Sequence, residues 1–186
     1  MSAAAPPKLL TIAEYLRLPD DGRKTELVRG RVIEVPPPNR FHGFLCLNIG
    51  AIIREFVRAN NLGRVMSNDS GVVTERDPDT LRGADVMYYS SARLPPGPLP
   101  EEGYGDKAPD LVFEVVSPSD RWSEVLGKVT EYLTAGVAVV CVVNPRNRTA
   151  TVYRDNQNPE PVAADAELTF PDVLPGFRVP MRQFFE

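Results

Sequence analysis

The sequence predicts a mixed α/β fold in which a mixed β-sheet is flanked by helices, and three patterns support this prediction. Asp110–Val116 and Val137–Val143 are near-continuous apolar runs, which are typical of strands buried on both faces. Asn39–Asn60 carries apolar residues at the three- and four-residue intervals of one helical face. Glu26–Val35 predicts an N-terminal β-hairpin, because Gly30 near its centre can supply the positive φ of a tight turn.

Two further helices are predicted from their end signals. Thr11 is typical of the N-cap of a short helix. Ser117–Asp120 is expected to cap a second long helix, which ends at Gly136, where glycine is a common stop. Trp122, at the start of that helix, is expected to pack in the core.

Length and composition favour one domain without a membrane span. The 186 residues are 42% hydrophobic and 25% charged, a composition that can bury one core. We expect residues 1–10 to form an N-terminal tail and residues 11–186 a single domain. No apolar run approaches the roughly 20 residues that a spanning helix needs, and the first residues do not resemble a secretory signal. A cytoplasmic location is therefore expected, with Cys46 and Cys141 reduced.

The charge of the chain is unevenly distributed. The net charge of −4 argues against a protein that coats nucleic acid without specificity. Residues 1–93 carry 13 Lys and Arg against 11 Asp and Glu, whereas residues 94–186 carry 8 against 14. A nucleic-acid substrate would therefore approach the N-terminal half.

Two carboxylates stand where the sequence predicts buried strands. Glu114 lies among apolar neighbours, and a buried carboxylate is costly unless it is paired, protonated or bound to a cation. Asp85 lies in a strand-like segment, where aspartate is disfavoured. On neighbouring strands, these two side chains would form a site for a hard divalent cation, most simply magnesium. Alternatively, Glu114 is a structural partner of Arg82 or Arg121, and Asp85 is a turn residue at a strand end.

Three more polar residues are candidates for the same site. Lys128 follows the Glu114 strand on a helix, where it could orient an attacking water and stabilise charge on a phosphate. A surface ion pair with Glu124 is the alternative. Glu26 could add a further acid or could belong to the charged edge of the hairpin. His42, the only histidine, could assist at the metal or lie at the edge of the core.

The order of several motifs in this chain resembles the Uma family. The most specific segment is Ala108–Arg121, followed by Lys128, Tyr132 and Gly136. Glu26–Val32, the triple proline before His42, and Arg82–Val86 also match. The resemblance runs from about Thr11 to Phe185. Members of this family are described as restriction endonucleases of the PD-(D/E)XK nuclease superfamily.

The resemblance implies a restriction-endonuclease-like core and metal-dependent hydrolysis of phosphodiester bonds. Asp85 would take the place of the aspartate in the PD motif and Glu114 that of the second acid. Both would be catalytic residues and ligands of magnesium, or of manganese in its place. From their positions in the sequence, and not from the resemblance, Glu26 is a candidate for a further catalytic acid and His42 for a contact to the substrate.

Two residues depart from the superfamily pattern. Val116 stands where the pattern has a lysine, two residues after the second acid. The resemblance implies that this lysine has moved to the next helix, so that Lys128 is the catalytic lysine. Ala84 replaces the proline of the PD motif, which shapes the strand and takes no part in the chemistry.

The leading hypothesis is therefore a metal-dependent endonuclease that acts on nucleic acid, with DNA as the favoured substrate. The alternative is a catalytically inactive nucleic-acid-binding or regulatory dimer that keeps the nuclease fold. By analogy with nuclease-like folds that meet two DNA strands, exposed sheet edges and hairpins could build a homodimer.

Overall fold

The computed structural model describes residues 8–186, so residues 1–7 of the predicted tail lie outside the described residues. The helices are α1 (Ile12–Tyr15), α2 (Arg40–Ala59) and α3 (Trp122–Thr134), and a 3-10 helix covers Met181–Phe185. The strands are β1 (Thr25–Val28), β2 (Arg31–Glu34), β3 (Gly63–Glu75), β4 (Thr80–Ser90), β5 (Leu111–Val115), β6 (Val139–Asn144), β7 (Thr149–Tyr153), β8 (Glu160–Val162), β9 (Glu167–Phe170) and β10 (Leu174–Pro180).

Eight strands form one large mixed sheet. Seven follow the order β2-β1-β4-β5-β6-β7-β8, and β3 pairs along β4. β5 and β6 are parallel and are connected through α3, whereas the other neighbouring pairs of this sheet are antiparallel. β9 and β10 form a separate antiparallel pair. The predicted mixed α/β fold class is confirmed.

The sheet is covered by helices on both faces. The buried side of α2 packs on one face, together with β9, β10 and the 3-10 helix. Its buried residues are His42, Leu45, Ile49, Ile53 and Val57, which recur at three- and four-residue intervals. α3 packs on the other face through Val125, Val129 and Tyr132. β5 lies between these two layers, which explains why its sequence is nearly all apolar.

The N-terminal hairpin forms as predicted. Arg29 and Gly30 have φ of 49° and 71°, so the two-residue turn between β1 and β2 needs the left-handed region at both positions. The backbone N–H of Leu10 donates to the Gly30 carbonyl, so residues 8–10 of the predicted tail approach this turn.

The ends of the helices match the sequence only in part. Thr11 caps α1, and Gly136 with φ of 94° follows α3, as expected. The predicted cap of α3 is wrong, because Arg121 is its N-cap and makes no side-chain cap bond. Asp120 instead accepts from the N–H of Ser117 and closes a turn before the helix. None of the helices in residues 8–186 is long and apolar enough to cross a membrane.

Candidate active site

A cleft of about 640 Å³ lies between the hairpin, the end of β5 and the first turns of α3. Charged side chains from four elements line it: Glu26 from β1, Arg82 from β4, Glu114 from β5 and Lys128 from α3. Apolar side chains of the hairpin and of α3 complete the walls, namely Val28, Ile33, Val35 and Val125. The fold therefore brings three of the predicted catalytic residues into one cleft.

Glu114 is a buried carboxylate held by two donors. On β5 it stands opposite Val142 of β6, and its side chain lies on the α3 side of the sheet. The Tyr132 hydroxyl donates to Oε1 at 2.9 Å, and Lys128 Nζ lies 3.5 Å from Oε2. Burial raises the pKa of Glu114 to about 7, with further contributions from Asp85 and Glu26, although Lys128 opposes this rise.

Lys128 points into the cleft, where its ammonium lies between two acids. Nζ donates to Glu26 Oε1 at 3.3 Å and lies 3.5 Å from Glu114 Oε2. Burial alone would lower the pKa of Lys128, but these two carboxylates outweigh it and raise that pKa. Lys128 is therefore a permanent cation at neutral pH, and the alternative of a surface pair with Glu124 does not describe its position.

Glu26 is held at both carboxylate oxygens. Oε2 accepts from Arg82 Nη1 at 2.9 Å, and Oε1 accepts from the Gly83 N–H at 3.1 Å as well as from Lys128. Burial raises the pKa of Glu26, but the cations and the backbone N–H outweigh it, so the pKa is lowered overall. Arg82 also forms a two-bond pair with Glu131 at 2.6 and 2.8 Å. Arg82 is thus not the partner of Glu114 that the sequence offered as an alternative.

Asp85 lies where β4 and β5 separate. Val86 opposite Phe113 is the last paired position of the two strands, and Asp85 and Glu114 come next on each. Asp85 Oδ2 accepts from the Val115 N–H at 2.7 Å, so the side chain replaces a bond of the strand ladder. β3 has a bulge opposite this point, between Ser67 and Ser70. Bulges of this kind open a sheet and redirect side chains.

His42 of α2 contacts Asp85 from the opposite face of the sheet. Nε2 lies 3.3 Å from Asp85 Oδ2, and Nδ1 lies 3.4 Å from Cys46 Sγ. Burial lowers the pKa of His42, but the Asp85 carboxylate outweighs this effect and raises it. His42 lines a separate cavity of about 220 Å³ and not the main cleft. The expectation that His42 contacts substrate stays a prediction.

The donor set fits a divalent cation. Glu26, Asp85 and Glu114 are all buried. Arg82 pairs with Glu26, and Lys128 pairs with Glu26 and Glu114. Burial is the main cause of the raised pKa of Glu114, and a cation bound at this carboxylate would offset the cost of ionising it. Magnesium and manganese prefer carboxylate oxygens. Ligand atoms of His42, Cys46 and Asp85 also lie within 4.8 Å of one another, so a metal at Asp85 could gain a nitrogen or sulfur ligand.

The sequence patterns alone do not identify two side chains of the site. Tyr132 belongs to the motif that resembles the Uma family, and its hydroxyl donates to Glu114 Oε1. Glu131 accepts from Arg82, which is 49 positions away in the sequence, so no local pattern predicts this pair. The spacing of Lys128 and Tyr132, one turn apart on α3, is the signal that could have placed both over the Glu114 strand.

Comparisons with known proteins agree with this architecture. A crystal structure from Anabaena variabilis, described as "a putative nuclease belonging to DUF820", superposes with a TM-score of 0.78. It is 22% identical in sequence, and the match covers 95% of this chain and 97% of that one, so the two share a fold. No curated protein matches the chain. The Uma2 family, described as "Putative restriction endonuclease", matches residues 12–182, and the chain belongs to that family.

Proposed function

We propose that this protein is a metal-dependent endonuclease that hydrolyses phosphodiester bonds of nucleic acid, with DNA as its substrate. One observation carries the proposal: a lysine ammonium lies 3.3 and 3.5 Å from two buried carboxylates in an open cleft, next to a third acid on the neighbouring strand. Membership of the Uma2 family supports the same activity.

Asp85 and Glu114 would hold magnesium or manganese, which would supply charge neutralisation at the phosphate and activation of water. Lys128 would orient the attacking water and stabilise negative charge on the phosphoryl oxygens. Glu26 fixes the ammonium of Lys128 in the cleft, and Tyr132 fixes the carboxylate of Glu114. These fixed positions reduce the reorganisation that the reaction requires.

The alternative of an inactive binding or regulatory protein is less consistent with the cleft. Glu26, Asp85 and Glu114 are all less than one-tenth exposed, and burying like charges together lowers stability. Buried acids whose pKa values are shifted, as those of Glu26 and Glu114 are, are typical of catalytic sites and favour the enzyme.

Cleavage assays with matched variants test the proposal. Supercoiled plasmid and single-stranded DNA are incubated with magnesium, manganese or EDTA and with wild type, Lys128→Ala, Asp85→Asn or Lys107→Ala. Lys107 is an exposed lysine outside the cleft, so its variant is the control. We expect metal-dependent cleavage by wild type and by Lys107→Ala, and no cleavage by the other two. Equal background in all four proteins would favour the binding protein.

A metal titration provides a readout that does not depend on finding the substrate. Magnesium or manganese should raise the melting temperature of the wild type, because a ligand that binds only the folded state stabilises it. Glu114→Gln should abolish that rise. A wild type whose melting temperature does not respond to either metal would contradict the proposed site.

A cytoplasmic location, a single domain over residues 11–186 and a homodimer stay parts of this proposal.

A further inference from the structure

The first half of α2 presents an apolar face to solvent. Phe41, Phe44 and Leu47 are 47%, 39% and 70% exposed, and the two phenylalanine rings stack at 6.2 Å. Arg40 and Arg54 are the first charged residues on either side of this face. The outer side of a helix on a protein surface is normally polar. Three large apolar side chains at this spacing on one helix therefore indicate a surface that another molecule covers.

This face is complementary to itself in antiparallel orientation. Arg40, Phe44, Leu47, Ala51 and Glu55 follow one another at three- or four-residue intervals along the exposed side of α2. When two such helices cross between Leu47 and Asn48, the large Phe44 meets the small Ala51 of the second copy. At each end of the crossing, Arg40 meets Glu55 of the second copy.

The charged ends of this face are available for such a contact. Arg40 and Glu55 are both exposed, and within residues 8–186 neither forms an ion pair or a side-chain hydrogen bond. Arg54 would lie opposite Phe41 of the second copy, an arrangement that allows a cation–π contact.

We propose that α2 is the interface of a homodimer, in which the Arg40-to-Glu55 faces of two copies pack antiparallel about a two-fold axis. The occupant is a second copy because its charge pattern and its large and small side chains both match this face. This inference assigns an interface to the homodimer of the proposed function, and it does not depend on the nuclease activity. It also places the dimer on a helix, whereas the sequence favoured exposed sheet edges and hairpins.

Sedimentation velocity of the full chain over a wide concentration range tests the interface. Wild type should approach twice the 20.6 kDa mass of one chain. Leu47→Glu should raise the dissociation constant at least about tenfold, because it puts a charge at the centre of the apolar contact. Leu99→Glu, at an exposed leucine in a loop outside α2, is the matched control and should leave the dimer unchanged.

Charge reversal tests orientation and register. Arg40→Glu should weaken the dimer several-fold, because two symmetry-related attractions become repulsions. Arg40→Glu combined with Glu55→Arg should restore it. At protein concentrations well below the dimer dissociation constant, these exposed substitutions should leave the thermal melt unchanged. If Leu47→Glu lowers it there, the charge reversals carry the test. A monomeric wild type, a dimer insensitive to both Leu47→Glu and Arg40→Glu, or a double variant without recovery would each overturn the proposal.

Discussion

Replacing Glu114 with glutamine should stabilise the metal-free protein above neutral pH. The folded protein raises the pKa of this carboxyl from 4.5 to about 7, so it binds the proton more tightly than the unfolded chain does. The free energy of unfolding contributed by Glu114 is therefore greatest below pH 4.5 and falls as pH rises towards 7. Glutamine removes this loss because it has no proton to release.

The size of the effect follows from the same two pKa values. Each pH unit between them corresponds to about 1.4 kcal/mol, so ionised Glu114 costs the folded protein about 3 kcal/mol above pH 7. Glutamine keeps an oxygen for the Tyr132 hydroxyl but loses the attraction to Lys128. We therefore expect a net gain of about 2 kcal/mol at pH 8, or roughly 4 to 8 °C in melting temperature for a chain of this length.

Urea denaturation in EDTA at several pH values between 5 and 8 measures this gain. The difference between the variant and the wild type removes the titration of groups that do not interact with Glu114, because both proteins share them. It should be near zero at pH 5 and grow as pH rises. Glu124→Gln, an exposed acid on the rim of the cleft, is the control and should stay within about 0.5 kcal/mol of wild type. A Glu114→Gln protein that is less stable at pH 8, or a difference that does not change with pH, would refute the uncompensated burial of Glu114 on which the metal site rests.

Three other substitutions have defined outcomes. Arg82→Met removes the cation between two acids and should lower the free energy of unfolding by about 3 kcal/mol in urea at pH 7, while NMR titration should show a raised pKa for Glu26. Gly83→Ala puts a Cβ atom 2.9 Å from Asp69 Cβ and should cost about 1 to 3 kcal/mol. Because Gly83 N–H holds Glu26, it should also slow metal-dependent cleavage at temperatures where the variant is folded. Thr74→Val should raise the free energy of unfolding by about 1 kcal/mol in thermal melts, because Thr74 Oγ1 is buried and has no hydrogen-bond partner in residues 8–186. A loss of stability would contradict this expectation.

The sequence predicted those features that follow from local patterns. The apolar period of α2, the Arg29-Gly30 turn and the apolar run of β5 each depend on neighbours in the chain. Glu114 could be identified from local sequence too, because its neighbours in the strand are apolar. A carboxylate buried among them needs a compensating partner, whichever part of the chain supplies it. Its position in the cleft could therefore be expected before its partner was known.

Features that depend on distant parts of the chain could not be predicted. The Asp85 carboxylate accepts from the Val115 N–H because β4 and β5 separate at this point, so that no backbone carbonyl of β4 is paired with it. This separation is a property of the sheet geometry. Trp122 was expected in the core, but it is 47% exposed because the helical face buried by α3 runs through Val125 and Val129. A large aromatic residue in the first turn of a helix gives no indication of which way that helix is turned.

The charged side chains of the cleft form a line of alternating sign, and Glu114 is the acid at one end of that line. Glu131, Arg82, Glu26, Lys128 and Glu114 succeed one another, with ion-pair distances of 2.6, 2.9, 3.3 and 3.5 Å. Glu26 lies between two cations, which lower its pKa against the effect of burial. At Glu114 the pair with Lys128 does not offset burial, which raises the pKa. Burial is therefore left without an offset at the end of the line that faces the neighbouring strand. A divalent cation at that end would complete the alternation, which is why metal binding and the pKa of Glu114 should change together.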